Sequence, residues 1–237
     1  NTGDSELTMY IMAEPLPGDF APRTDMLVRN ERTTPILDAK PHWTHIFKNL
    51  FSKEDGLAMI GGMGPVWFDA NTMGQPHSHN PGFEEIWFAV SGDTNILLGK
   101  QMRDFPPGSA YKVPPDYMSP HSNLNFTDGP VKLFWFIVRT VPEPPPPSNS
   151  MLAPAPYDPE SEPDPDVYMS NWRDAPLRFS HGSLIERDIL TRSGGDPMNP
   201  PRNGAVLKYF RELSYATLPA GAQTTPFTPD GIQEMYY

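Results

Sequence analysis

The sequence predicts an all-β protein organised around a barrel of short strands, and three observations carry that expectation. From Gly56 to about Val141, runs of β-branched and aromatic residues ("PVWFDA", "EEIWFAV", "NILLG", "SAYKV", "VKLFWFIV") alternate with turn text ("SGDT", "FPPGS", "PPD", "FTDGP"). That is the spacing of a meander of strands closed by turns. The composition holds 31 prolines, 18 glycines and 11% aromatic residues, which supplies turns and strand formers and disfavours long helices. The third observation is chemical. Two of the six histidines stand one residue apart in "GQPHSHNPGFEEIWFAVSG", residues 74 to 92, just ahead of paired glutamates.

Taken in order, residues 1–55 mix short apolar pieces ("LTMYIM", "HWTHIF") with turn residues and read as an irregular amino-terminal arm packed on the barrel. Residues 56–141 are the barrel itself. Residues 142–202 read as a proline-rich linker and then an irregular segment. In its first part, 142–166, proline and acid leave neither helix nor central strand available. Pro144 to Pro147 should hold polyproline II geometry, at about 3 Å per residue. A surface strap along the barrel and a free tether are equally compatible with this text. Strand-like text resumes over 203–237. Laying Glu234-Met235-Tyr236-Tyr237 over Glu85-Ile86-Trp87-Phe88 also matches Gly231 with Gly82, and sets Pro226 and Thr228 opposite His77 and His79. The tail therefore reads as a partial or degenerate second copy of the first motif without its histidines. The alternative is that it supplies strands to the first domain.

Charge and composition exclude several function classes. A formal charge of −11 and a pI near 4.9 argue against a nucleic-acid partner, which needs a basic face, and against anionic membranes. No run approaches the roughly 18 apolar residues that span a bilayer. The longest cluster, "LFWFIV" at 133–138, has strand length, so the chain reads as soluble with no membrane insertion. There is no cysteine, hence no disulfide, thiolate ligand or cysteine nucleophile. The chain opens at Asn1 without a charged and apolar signal segment, which reads as a processed form. That tilts an otherwise undetermined compartment towards secretion or the periplasm.

On a strand, alternate side chains share a face, so His77 and His79 project side by side with Ser78 pointing away. Six histidines would give such a pair about 0.15 times by chance, so the pair is a signal rather than noise. A glutamate within a few residues and a further histidine at a predicted strand start, His121, make a set of three nitrogens and one oxygen. Neighbouring Glu84 and Glu85 face opposite ways on a strand, and only one can look into the lumen.

Residues 74–125 resemble the two motifs of the cupin superfamily. The first runs histidine, any residue, histidine, three or four residues, glutamate, six residues, glycine. Here His77-Ser78-His79 is followed by five residues, Glu85, six residues and Gly92. The second runs glycine, five residues, proline, any residue, glycine, two residues, histidine, three residues, asparagine. Here Gly108, Pro114, His121 and Asn125 keep both ends. The chain departs in one extra residue before Glu85, in Asn71 at the place of a leading glycine, and in Asp116 for glycine with two more residues before His121. The fifteen residues between Gly92 and Gly108 fit the short spacing of microbial cupins.

The resemblance implies a jelly-roll, double-stranded β-helix barrel and a metal held by His77, His79, Glu85 and His121. Glu84 keeps the usual gap from His79, whereas Glu85 keeps the gap to Gly92 and the glutamate, aliphatic, aromatic order. Glu85 is favoured, with Glu84 read as a solvated rim residue rather than a supporting acid. Three neutral imidazoles and one carboxylate leave a divalent ion with net charge near +1 and, at six-coordination, two open positions. Iron, manganese, nickel, copper and zinc all suit such donors.

Tyr111, Lys112, Tyr117 and Met118 could line the mouth, with Lys112 able to meet an anionic substrate. An exposed lysine and a core tyrosine are the default reading. Trp87, Phe88, Trp135 and Phe136 read as barrel wall, and His42, His45 and His181 as structural. Asn125 is carried over as a structural residue near a strand end.

The function expected from the resemblance is a mononuclear-metal oxidoreductase of dioxygenase type, acting on a small oxygen-rich or aromatic molecule. A redox-neutral sugar or uronate isomerase or lyase is the alternative, and a non-catalytic carbohydrate-binding or structural cupin a third. Cupins often pair through barrel edges, which implies a homodimer or higher homo-oligomer.

Overall fold

The structure, a computed structural model, describes residues 1–37, 46–116, 118–140, 158–194 and 200–237. The amino-terminal segment carries β1 (Leu7–Pro15), β2 (Ile46–Phe47) and β3 (Phe51–Ser52). The barrel segment carries β4 (Ile60–Phe68), β5 (Thr72–Met73), β6 (Phe83–Ser91), β7 (Thr94–Leu98) and β8 (Gln101–Phe105). It continues through β9 (Ser109–Lys112), β10 (His121–Asn125) and β11 (Val131–Arg139). Beyond it lie a single helical turn, α1 (Pro165–Tyr168), and the strands β12 (Met169–Asn171), β13 (Leu177–Ser180) and β14 (Leu184–Thr191). The last strands described are β15 (Glu212–Leu218) and β16 (Ile232–Tyr236).

Two sheets face each other to form the barrel. One wall runs β12-β9-β6-β11-β4-β2, with β3 also on β4, and the opposite wall runs β5-β10-β7-β8. All the pairings are antiparallel. The lumen is filled by Phe68, Trp87, Ile96, Phe105, Tyr111 and Leu133. The glycines that bound the motifs are required by conformation and space. Gly92 and Gly108 hold φ +81° and +88°, and a Cβ would meet Val131 at the first and the Trp172 indole at the second.

β6 and β11 are apolar at both parities, and the structure gives the reason. A third sheet, β13-β14-β15-β1-β16, lies over the outer face of the first wall. Ile86, Phe88, Phe134 and Phe136 on that face share one core with Met12 and Leu213 of the third sheet. The wall is thus covered on both sides.

The arm expected to be irregular contains a regular nine-residue strand whose partners lie near the other end of the chain: Leu7 pairs with Leu218 and Ile11 with Tyr236. β1 sits between β15 and β16 as β11 sits between β4 and β6. The register repeats as well. Ile137 faces Glu85 and Gly62, and Ala13 faces Glu234 and Glu212. Tyr10 meets Phe88 at 4.3 Å between ring centroids, and Phe134 meets Tyr237 at 4.4 Å. The overlay of Glu234 on Glu85 therefore corresponds to equivalent strand positions. It does not produce a closed second barrel. Among the described residues the tail contributes β15 and β16 to an open sheet whose middle strand comes from the amino-terminal segment.

The later part of the proline-rich region lies along the barrel as a strap. Asp158 donates its backbone N–H to Met118 O at 2.9 Å, the Ser119 and Ser161 hydroxyls meet at 2.9 Å, and Lys100 pairs with Glu160 and Glu162. β12 then adds to the barrel wall beside β9. Pro144 to Pro147 lie outside the described residues.

Candidate metal centre

Register brings the motif residues to one point between the two barrel walls. Glu85 stands on β6, in the middle of one wall, and its side chain enters the lumen along with Trp87 two residues on. His121 opens β10 on the facing wall. The segment after β5 runs alongside it, with His77 N donating to His121 O at 3.3 Å and His121 N donating to His77 O at 2.9 Å. This cross-strand bridge places two imidazoles side by side, and alternation past Ser78 adds the third, His79.

The ring centroids lie 4.4 Å apart for His77 and His121, 5.0 Å for His77 and His79, and 5.2 Å for His79 and His121. His121 Nε2 is 3.3 Å from Glu85 Oε1, and His79 Nε2 abuts Glu85 Oε2. One donor atom from each of His77, His79, Glu85 and His121 lies within 4.8 Å of the others, so the set could hold a metal ion. His77, Glu85 and His121 are buried, and His79 is the partly exposed member.

The residues fit such an ion. His79 Nε2 has only the Glu85 carboxylate beside it and His121 Nδ1 is buried without a hydrogen-bond partner, a costly state for a polar atom. His77 Nδ1 lies 2.8 Å from the Gln75 carbonyl oxygen, to which a protonated Nδ1 donates, leaving the lone pair on Nε2. Burial, then the neighbouring His121 and His79 rings, push the His77 imidazole well below its ordinary range, which keeps it neutral. Burial raises the Glu85 carboxyl, but the pull of His79 and His121 outweighs it and holds the group well below the usual carboxylate range. A neutral His77 imidazole and an ionised Glu85 carboxylate are the states in which these two groups bind a divalent ion.

The structure separates the two glutamates. Glu85 enters the site and Glu84 faces the other way, as alternation requires. Glu84 is not a solvated rim residue, however. It is fully buried and accepts the backbone N–H groups of Lys208, Tyr209 and Phe210 at 2.7, 3.0 and 2.6 Å. Lys112 is neither exposed nor at the mouth: its ammonium is buried 3.1 Å from Glu84. The outer face of this wall is covered by the third sheet, which alternation along one strand cannot reveal.

Tyr111 is a core residue whose hydroxyl donates to Asn123 Oδ1 at 3.2 Å, and burial, with Glu85 nearby, pushes its phenol well up. Met118 is exposed, while Tyr117, His42 and His45 lie outside the described residues. Trp135 packs edge-on against Phe47, and Phe88 and Phe136 belong to the core between wall and third sheet. His181 stacks on Phe227 at 3.6 Å, far from the motif in the β13–β14 turn. Asn125 has the structural role expected: its amide donates to the carbonyls of Phe68, Asp69 and Gly129, and its oxygen accepts from Thr127. One contributor escaped the sequence reading. The Trp87 indole N–H donates to Glu85 Oε1, a contact that shared strand parity could have suggested.

Two facing antiparallel walls, with the histidines of both motifs and the glutamate of the first converging between them, decide the architecture. The barrel has a cupin-like fold.

No protein-family model matches the sequence, and no curated protein matches it. Solved cupin-like structures resemble part of the fold. A predicted oxalate decarboxylase from Thermotoga maritima shares 14% identity over 48% of this chain and 99% of its own, at a TM-score of 0.43. KdgF from Halomonas sp. shares 19% over 50% and 96%, at 0.40. The polyketide cyclase RemF from Streptomyces resistomycificus shares 14% over 54% and 99%, at 0.43. These likenesses reach about half of this chain and are too remote to bear on its reaction.

Proposed function

We propose that this cupin-like protein is a mononuclear-metal enzyme of the oxidoreductase, dioxygenase-type class, with His77, His79, Glu85 and His121 as the ligands and a small aromatic or otherwise apolar oxygen-bearing molecule as substrate. The convergence of the four donor side chains, one donor atom from each within 4.8 Å of the others, is the observation that carries the metal reading. When bound, a redox-active divalent ion supplies Lewis acidity and a route for electrons between substrate and dioxygen.

The chain's own residues favour an apolar substrate over a sugar. Phe83 lies beside His79 with ring centroids 5.9 Å apart, and the Trp87 indole reaches Glu85 from the same face of β6. The Asn123 and Tyr111 polar groups in the same lumen are bonded to each other. A polyhydroxylated ligand needs several convergent donors and acceptors, whereas a ring-bearing one is matched by this lining. The partly exposed His79 marks the side from which a small molecule would enter.

The test is elemental analysis of protein purified without added metal or chelator, and then oxygen-uptake measurements on the metal-loaded protein with catechols, enols and other oxygenated aromatics. Near-stoichiometric iron, nickel or copper with substrate-dependent oxygen consumption supports the proposal. Turnover that persists anaerobically with zinc or manganese transfers the site to redox-neutral isomerase or lyase chemistry. Failure to take up any metal removes the enzyme reading.

A further inference from the structure

We infer that Glu84 is a positioning residue for the metal centre, a clamp through which the third sheet holds the ligand-bearing strand in place. This rests on the reading that the centre binds metal. Glu84 and Glu85 are joined by one peptide bond and face opposite sides of β6, so a force on one side chain is felt by the other. The Glu84 carboxylate receives three consecutive backbone N–H groups, from Lys208, Tyr209 and Phe210, just before β15. Lys112, on the neighbouring β9, meets the same carboxylate at 3.1 Å and also donates to Val206 O at 2.6 Å. The residue after it, Val113, donates its N–H to the Glu85 carbonyl at 2.9 Å. Residues 206–210 therefore fasten both β6 and β9 at the level of the metal ligand. Charge-assisted bonds in a buried setting are the strong ones, and breaking this set would leave uncompensated donors.

The repeat in the fold provides a built-in control. Glu14 on β1 is fully buried and accepts the N–H groups of Ala58, Met59 and Ile60 at 2.7, 2.8 and 3.0 Å, just at the start of β4. In the shared register, Ala58, Met59 and Ile60 occupy the places of Lys208, Tyr209 and Phe210. The two clamps share the three N–H bonds, Glu84 alone adding the Lys112 ammonium, and neither β1 nor β4 carries a proposed metal ligand.

The experiment compares Glu84→Gln with Glu14→Gln, each titrated with Co²⁺ as the probe metal while its d–d absorption is monitored, with thermal melting of the metal-free proteins in parallel. Both variants should melt lower than the parent. Only Glu84→Gln should bind Co²⁺ more weakly, by about 10–100-fold as for other groups supporting a ligand, with an altered absorption spectrum. Unchanged Co²⁺ affinity and spectrum in a folded Glu84→Gln protein would overturn the inference. Equal losses in both variants would too, since they signify general loosening. If Glu84→Gln does not fold, Lys112→Met removes the ammonium and keeps the three N–H bonds. A smaller loss of Co²⁺ affinity supports the clamp, and none overturns it. A parent protein that binds no Co²⁺ overturns the metal reading itself, an outcome distinct from a parent that binds and a Glu84→Gln variant that binds equally well.

Discussion

The indole N–H of Trp87 donates to a carboxylate oxygen of Glu85, two residues back on the same strand and on the same face. A carboxylate held at one oxygen by a rigid donor has a fixed orientation, and groups that orient a ligand are worth about 10–100-fold in metal affinity. Trp87→Phe keeps an aromatic side chain, smaller than the indole, and removes the donor. It is expected to fold normally and to lose metal affinity by about that factor, read by competition with a chromophoric chelator. Unaltered affinity would reduce Trp87 to lumen filling.

His77→Ala and His121→Ala are each expected to abolish stoichiometric metal content, because the remaining three donors no longer surround one point. A ligand at about 100 times its dissociation constant stabilises the native state by about 2.7 kcal/mol. The parent should therefore melt lower after chelator treatment, and these variants should show no chelator-dependent shift. Elemental analysis and paired melting curves check both statements, and full metal content in either variant would discard the ligand set.

Phe88 fills the space between barrel wall and third sheet, stacked on Phe134 at 4.9 Å and in contact with Tyr10. Phe88→Ala is expected to cost about 3–5 kcal/mol, as for other buried aromatic truncations. A drop in the urea midpoint without a change in slope would show it. A loss below about 1 kcal/mol would mean that the third sheet adds little to stability.

Glu31 ties the amino-terminal segment to the barrel and to the tail, accepting from Lys132 Nζ at 2.6 Å and from the Tyr237 hydroxyl. Burial raises its carboxyl, but Lys132 and Tyr237 outweigh that and set it below its ordinary value. The folded state thus binds the proton more weakly than the unfolded one. The contribution is present above the unfolded value near 4.5 and is lost as pH falls through the lower folded value. Glu31→Gln should lower stability at pH 7 by no more than about 1 kcal/mol, given its partial exposure, and should flatten the acid limb of a stability-against-pH curve. An acid limb identical to that of the parent would contradict it.

Much of the candidate centre was legible because its determinants are local. Alternation pairs His77 with His79, spacing to Gly92 selects Glu85, and the turn residues mark where each wall strand stops. The features that escaped depend on contacts distant in sequence. Alternation says that Glu84 faces away from the lumen but not what lies there, and the covering residues come more than a hundred positions later. The same blindness turned Lys112 into a surface or mouth residue. It also left "LTMYIM" as an apolar fragment of an irregular arm, since its partners on β15 and β16 give no signal within the fragment itself.

The placement of β1 between β15 and β16 also orders events in time. A ribosome delivers Leu7–Pro15 well before either of its partners, so this strand must wait, apolar and unpaired, while the barrel strands emerge and close. Until then the outer faces of β6 and β11 stay bare, and a nascent chain exposes the aromatic row of Phe88, Phe134 and Phe136. The third sheet can be completed only after β15 and β16 have been made, and the interval before that is when chaperones, or aggregation, have their opportunity.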